Sequence, residues 1–469
     1  MKKTLTFLLL ISSLSGFSQA NQTKIDSVAA LVKITFNDRN FVKLYALTGE
    51  DFRKSFSEKQ IIEFSEMLSN QLGKWKNMEF RKNTNGVAFY KAIFEKGNQN
   101  FIIGLDKNDK IATLAFQPYK DDVPKKEYQL ASNNKMQTPL DLRVDSLVRP
   151  YIRLKNTAGI CIAVIKDGNV QTYSYGETKV GEKQLPDADK TLFEIGSISK
   201  TFTAILLADE VAKGKMSLND PVNKYLPDSI PILAFKDVPI TLKTLSNHTS
   251  GFPSLPTNIF EKGNDNSNPY KSYDEKKLFT YLKNFKPYRE VGVNFDYSNF
   301  AVGMLGTILA RQNQTSYEQL LIDKICKPLQ MENTKIILQS IDNQRFAQGY
   351  DENGKATSQW NFTALAGAGG IRSTVSDMVK YVKANMSKAP QQLQEAVDLT
   401  QKKTFSKEKN VIGLGWILPL KGNDNLYFHN GGTGGFRSFA GFDKERQTGI
   451  VILSNATESV DGIGFGLLK

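Results

Sequence analysis

The feature that most restricts the fold is where strand-like runs fall in the later part of the chain. Gly159 to Lys166 and Val170 to Tyr175 are two such runs, joined at the turn Asp167-Gly168, and read as a hairpin. Strand-like runs then stop. They return near the end, at Gly413 to Leu418, Leu426 to Phe428, Phe436 to Phe442 and Gly449 to Ser454. A strand needs a neighbour for its backbone N–H and C=O groups. The two distant sets therefore predict one antiparallel sheet built from both ends of a domain, with a mainly helical lobe inserted between them.

That domain opens with a helix over Leu140 to Ile152, and within its middle Ser272-Tyr273-Asp274-Glu275 has the form of a capping box before a helix to Phe285. Upstream, residues 24 to 72 read as helices, from Ile25, Val28, Leu31 and Val32 and again from Ile61, Phe64, Met67 and Leu68. Four strand-like runs follow: Trp75 to Arg81, Val87 to Phe94, Asn100 to Leu105 and Ile111 to Pro118. Turn residues such as Asn83-Thr84-Asn85-Gly86 and Gly97-Asn98 separate them. Helices followed by a meander make a small α+β domain, and its pattern resembles the cone-shaped domains similar to nuclear transport factor 2. Asp121-Asp122, Pro124-Lys125-Lys126 and Asn133-Asn134-Lys135 give the stretch before Leu140 the composition of a linker.

Met1-Lys2-Lys3, the short apolar run Leu5 to Leu14 and Ser18-Gln19-Ala20 have the three parts of a secretory signal. The expected organisation is a signal peptide over 1–20, cleaved near Ala20, an α+β domain over 21–120, a linker over 121–138 and a second domain over 139–469. The mature protein is expected to be secreted or periplasmic, with no transmembrane anchor. The formal net charge is +13, but the lysines are scattered and not interleaved with aromatics, so no nucleic-acid partner is expected. Cys161 lies in an apolar run and Cys326 near a helix end, and both read as buried thiols.

The chain has two histidines, His248 and His429, which leaves no two-histidine zinc motif at helical spacing and no expected metal. There is no dinucleotide fingerprint, phosphate loop or Gly-x-Ser-x-Gly elbow, and no cofactor is expected. What remains is Phe193-Glu194-Ile195-Gly196-Ser197-Ile198-Ser199-Lys200, leading into an amphipathic helix with Phe202, Ile205, Leu206 and Ala208 as its buried positions. A serine at a helix's first turn sits where the macrodipole favours developing negative charge. A lysine three residues on lies on the same face, where its amine can accept the serine proton once burial and neighbouring cations lower its pKa.

Two further segments supply complementary groups. Asp296-Tyr297-Ser298-Asn299 opens a helix over Phe300 to Arg311; its phenol becomes a base if cations crowd it, and its Asn299 amide can orient a carbonyl or the lysine. His429-Asn430-Gly431-Gly432 follows the run Leu426 to Phe428, and its glycines would let a substrate lie close to the backbone. The amides of Ser197 and Gly432 are candidates for a two-donor oxyanion site beside Gly431. His248-Thr249-Ser250-Gly251 is a minor marker, Trp360 and Trp416 read as core or cleft wall, and Gly367 to Gly370 as a tight backbone passage.

In this order and spacing the motifs resemble the serine β-lactamase and penicillin-binding-protein superfamily. The branch indicated contains cephalosporinase-type β-lactamases, D-alanyl-D-alanine peptidases, D-aminopeptidases and related esterases. The resemblance spans nearly all of 140–469, including Leu218-Asn219-Asp220-Pro221-Val222 and Ala368-Gly369-Gly370-Ile371-Arg372-Ser373-Thr374. It implies a β-lactamase-like domain, an antiparallel sheet against a helical lobe, so that the whole chain is of mixed α+β and α/β class. It implies Ser197 as acylated nucleophile, Lys200 and Tyr297 sharing the base role, Asn299 positioning substrate, and His248 in a structural turn. Many members carry lysine where His429 stands, whereas esterase-like members carry histidine. The resemblance thus implies an exported hydrolase forming an acyl-enzyme on an ester, amide or peptide carbonyl. The alternatives are a β-lactamase or a penicillin-binding sensor that acylates without turnover. A small-molecule or peptide substrate, cell-wall fragments included, is the expected partner. For the N-terminal domain, dimerisation, ligand binding and a spacer role all stay open. With histidine in place of a fixed cation, substrates bearing a carboxylate are expected to bind better as pH falls toward 6.

Overall fold

The computed structural model describes residues 22–84, 86–119, 126, 130–261, 265, 267–408, 410–419 and 425–469. The signal-like segment lies outside the described residues. The chain forms two compact units, Met1–Val123 and Pro124–Lys469.

In the first unit, helices Gln22–Asn37, Phe41–Ala46, Glu50–Ser55 and Glu58–Leu72 precede an antiparallel meander of Trp75–Thr84, Val87–Phe94, Gly97–Leu105 and Ile111–Pro118. The last of these helices starts on a capping box between Ser57 and Gln60. Side chains along Val87–Phe94 alternate between half-buried and buried, as a strand with one face on a core requires. Trp75 is the centre of that core, its ring meeting Phe36, Phe94, Phe101 and Phe116. Ile25 and Val32 point into the core, but Leu31 is exposed, so the apolar stripe of the first helix is narrower than its spacing implies.

In the second unit the described residues form an eight-stranded antiparallel sheet. Its order is Phe405–Lys407, Asn410–Ile412, Ile417–Leu418, Leu426–Gly432, Arg437–Asp443, Thr448–Ser454, Gly159–Lys166 and Asn169–Gly176. Strands from both ends of the domain meet where Thr448–Ser454 pairs with Gly159–Lys166. Ile160, Ile162 and Val164 face a core shared with helices Pro139–Ile152 and Asp461–Leu468, while Cys161, Ala163 and Ile165 face the helical lobe. Burial on both faces is why Gly159–Lys166 is an unbroken apolar run. Both cysteines are buried free thiols.

Four local expectations need correction. The run Gly413 to Leu418 is not one strand; Gly415 takes φ +143° and the chain turns between Asn410–Ile412 and Ile417–Leu418. The helix Glu275–Asn284 is capped by Asp274, whose carboxylate accepts from the Lys277 N–H, and not by Ser272. The helix Ser199–Ala212 is buried all round from Ser199 to Glu210, because helices Asn299–Gln312 and Gln391–Gln401 and the turn Ala366–Ala368 enclose it. Finally, the polar stretch before residue 139 is not a free tether where it is described. The Asn133 N–H donates to Ser174 O, Ala131 O accepts from the Gly176 N–H, and the buried Lys126 amine donates to the carbonyls of Ile152 and Thr157.

Candidate active site

Ser197 sits in a single 3-10 turn, Gly196–Ile198, that runs directly into the helix Ser199–Ala212. This turn is clamped on two sides. The Ile195 N–H donates to Ile371 O, Ser199 Oγ accepts from the Ile371 N–H, and Ser438 Oγ donates to Ile195 O at 2.7 Å. Gly196 has φ +50°, and a Cβ there would lie 2.6 Å from the Gly432 nitrogen. The turn carrying Ser197 therefore rests backbone to backbone on the strand Leu426–Gly432.

That contact changes the reading of the glycines. Residues 429–432 continue the strand and pair with Ala440 to Arg437; they do not follow it. A Cβ on Gly431 would meet Ile195 O at 2.0 Å, and one on Gly432 would meet the Arg437 guanidinium at 2.5 Å. Gly431 is thus required by the Ile195 backbone, whatever approaches from the solvent side, whereas a side chain at 432 would have to displace the Arg437 guanidinium.

Three side chains converge on one oxygen. Lys200 Nζ lies 3.0 Å from Ser197 Oγ, and Tyr297 Oη donates to the same Oγ at 2.8 Å. Lys200 is buried, its amine also donates to Ala368 O at 2.6 Å, and it stands 5.0 Å from the centre of the Tyr297 ring. Burial alone holds its pKa well below the ordinary lysine value; the neighbouring cations expected from the sequence are not the cause. Tyr297 moves the other way: burial raises its phenol above the usual range, outweighing the hydrogen bond to Ser197, so the expected cation-lowered phenolate is corrected to a neutral phenol. The arrangement favours a neutral amine beside a neutral phenol, with the amine the stronger base.

Tyr297 is held by His248. The His248 carbonyl accepts from the Asp296 N–H at 2.8 Å, its Nδ1 accepts from the Ser298 N–H at 3.2 Å, and its ring lies 4.4 Å from that of Tyr297. His248 takes φ +62° and is buried, with Nε2 unpaired among the described residues. Ser298 then caps the helix Asn299–Gln312 by accepting from the Ala301 N–H. Asn299 is the first residue of that helix, half-buried, and its amide makes no hydrogen bond to a described residue.

His429 is buried, and its Nδ1–H donates to Asn430 O at 2.6 Å, leaving Nε2 an acceptor unpaired among the described residues. Burial first, then the nearby Lys200, lowers its pKa to about 3. The expected protonation near pH 6 is thereby corrected: His429 stays neutral through that range. Two contributors escaped the sequence reading. The Ala368 carbonyl is a backbone atom with no sequence signal. His248 was visible only as a turn marker, because its burial and its bond to the Ser298 N–H are set by the fold. Trp360 lines the cavity beside Ser197, as a cleft wall.

The family described as Beta-lactamase matches residues 144–464. A β-lactamase of Pseudomonas fluorescens is 32% identical over 345 residues, covering 66% of this chain and 92% of the relative. A D-alanyl-D-alanine-carboxypeptidase/endopeptidase, AmpH, of Escherichia coli K12 is 28% identical over 312 residues, covering 63% and 78%. A solved class C β-lactamase superposes with a TM-score of 0.62 at 26% identity, covering 72% of this chain and 97% of its own. With the family match spanning most of the chain and from 78% to 97% of each of these relatives covered, the chain belongs to the serine β-lactamase and penicillin-binding-protein superfamily and is a hydrolase of that type.

Proposed function

We propose that this hydrolase works through an acyl-enzyme on Ser197 and cleaves an ester, amide or peptide carbonyl. The observation that carries the reading is the convergence of Lys200 Nζ and Tyr297 Oη on Ser197 Oγ within 3.0 Å. In the proposed step, Oγ bonds to the carbonyl carbon as its proton passes to the Lys200 amine. The oxyanion lies between the amides of Ser197 and Gly432. The leaving group departs with a proton from Tyr297, which the Lys200 ammonium restores. Water then attacks the acyl carbon and regenerates Ser197. Asn299 would orient the acyl group, and His429 with Gly431 would form the strand wall. The signal-like residues 1–20 support export, and among the described residues no helix is long and apolar enough to cross a membrane.

A second reading, β-lactam turnover, is favoured by the similarity to β-lactamases of Pseudomonas fluorescens and Escherichia coli. One experiment covers both. Intact-protein mass spectrometry after exposure to esters, D-amino-acid peptides and β-lactams should show a single acyl adduct that Ser197→Ala abolishes. An adduct surviving in Ser197→Ala would refute the nucleophile. An adduct that persists without turnover would identify a sensor.

A further inference from the structure

The cavity beside Ser197, about 390 Å³, is lined not only by Ser197, Gly431 and Gly432 but also by charged groups that the acylation step does not use. Arg437 stands across the strand pair from Gly432, and its guanidinium lies over that glycine. Its Nη1 donates to Thr433 O and Phe436 O, which fixes the fork; Nε and Nη2 make no hydrogen bond to a described residue. On the same cavity Asp461 opens the helix Asp461–Leu468, with Oδ2 accepting from the Asn430 amide at 2.8 Å and Oδ1 uncommitted among the described residues. Arg437 and Asp461 form no direct ion pair, so a cation and an anion both border the cavity beside the nucleophile, held by neutral partners.

We propose that this cavity receives a zwitterionic end group, a free α-amino acid terminus on the substrate, with its carboxylate on Arg437 and its ammonium toward Asp461. The proposal rests on the acyl-enzyme reading and names its substrate class. A simple anion fits less well, because it would also face the Asp461 carboxylate on the same cavity. A simple cation would meet the guanidinium. A group carrying both charges answers both walls, and bidentate geometry suits a carboxylate on the arginine fork. A side group of that size leaves room in the cavity for the chain that links it to the scissile carbonyl.

The test uses four thioesters of one acyl skeleton whose end groups are methyl, carboxylate, ammonium or a complete α-amino acid. Their kcat/KM values are compared as ratios to the methyl compound. The amino acid compound should lead by about tenfold or more, the effect of one well-placed charge pair of about 1.4 kcal/mol. Asp461→Asn, which can still accept from Asn430, should cut the advantage of the amino acid over the carboxylate compound about tenfold. Arg437→Gln should cut its advantage over the ammonium compound similarly. Arg437→Lys, which keeps the charge and can still donate to the braced carbonyls but lacks the fork, should retain only part of the ratio. Calorimetric binding of the same series to Ser197→Ala should give the same ranking without turnover. A flat series, or variants that lower all four compounds equally, would overturn the proposal. If the methyl compound still acylates Ser197 in that case, the hydrolase reading stands; if no compound acylates it, that reading fails separately.

Discussion

His248 contacts Tyr297 and not Ser197, so its replacement should damage catalysis only by displacing the phenol. In His248→Ala the buried Ser298 N–H loses its acceptor, a loss worth about 1–3 kcal/mol. The ring contact with Tyr297 goes as well, worth about 0.5–1.5 kcal/mol. Domain stability should fall by about 2–4 kcal/mol in denaturant unfolding. Asparagine tolerates the left-handed backbone at this position, and its Oδ1 can stand in for Nδ1. His248→Asn should therefore lose only the ring contact, about 1 kcal/mol. In His248→Ala the Tyr297 segment loses two of its three contacts with residue 248 and should shift, and displacement on the ångström scale can lower kcat/KM by up to about a hundredfold. The decisive measurement is a double-mutant cycle with Tyr297→Phe on a chromogenic ester. If His248 acts by placing the hydroxyl, the double variant should match Tyr297→Phe within about threefold. Full additivity would refute the argument, as would His248→Asn unfolding as readily as His248→Ala.

Lys200→Ala should lower acylation by about a thousandfold, in the range expected for a lost general base, and Lys200→Arg should be no better, since a guanidinium cannot give up its proton. Arginine activity within tenfold of the wild type in single-turnover acylation would mean that the residue serves as a cation. His429 should not titrate between pH 5 and 8 in proton NMR, and the preference for carboxylate-bearing over neutral esters should stay flat as pH falls from 8 toward 6; a rising preference lost in His429→Gln would contradict the assignment. Because His429 is neutral when folded down to about pH 3 but accepts a proton near 6.5 when unfolded, the unfolded state binds more protons between those values. Stability should accordingly fall by about 1.4 kcal/mol per pH unit below 6.5 from this residue, with His248 acting in the same direction; a denaturation midpoint unchanged from pH 7 to 5 would exclude it.

The parts of the fold legible in the sequence are those decided by local pattern. Val87–Phe94, Ile111–Pro118 and Gly159–Lys166 occupy the same residues in the structure as in the apolar runs, since period and turn chemistry fix them without reference to distant neighbours. The sheet joined from both ends was also legible, because distant strands had no other partners. Glycines at 431 and 432 hid the continuation of the Leu426 strand: their strand propensity is poor, and their purpose, room for Ile195 and Arg437, is visible only in three dimensions. The Ser199 helix looked amphipathic because Thr201, Thr203, Asp209 and Glu210 are polar, yet all four are buried. Thr203 bonds Tyr317 and Gly367, and Thr201 bonds Tyr381; side chains satisfied inside the lobe cannot be told by type from those facing water. The same limit applies to Asn133 and Asn134, polar residues of an apparent linker that hold the edge strand through Ser174 and Tyr175.

The electrostatics of the site follow from one arrangement. Lys200, His248 and His429 are three buried nitrogen bases, and none forms an ion pair with a carboxylate among the described residues. Without such a partner burial pushes each toward its neutral form, and charge at the cavity is borne by Arg437 and Asp461. On the proposed reaction the first new charge to appear is a pair: an ammonium on Lys200 and an oxyanion at the Ser197 and Gly432 amides. The ammonium forms already in contact with Ala368 O and beside the Tyr297 ring face, groups whose attraction grows with the positive charge. A carboxylate in place of Ala368 O would stabilise the ammonium before reaction and weaken the base. A neutral carbonyl strengthens its hold only as the proton arrives, so its contribution falls on the transition state more than on the resting enzyme. That selectivity explains why a backbone atom of a glycine-flanked turn, brought within 2.6 Å of the amine, suits this position better than any side chain the sequence could have supplied.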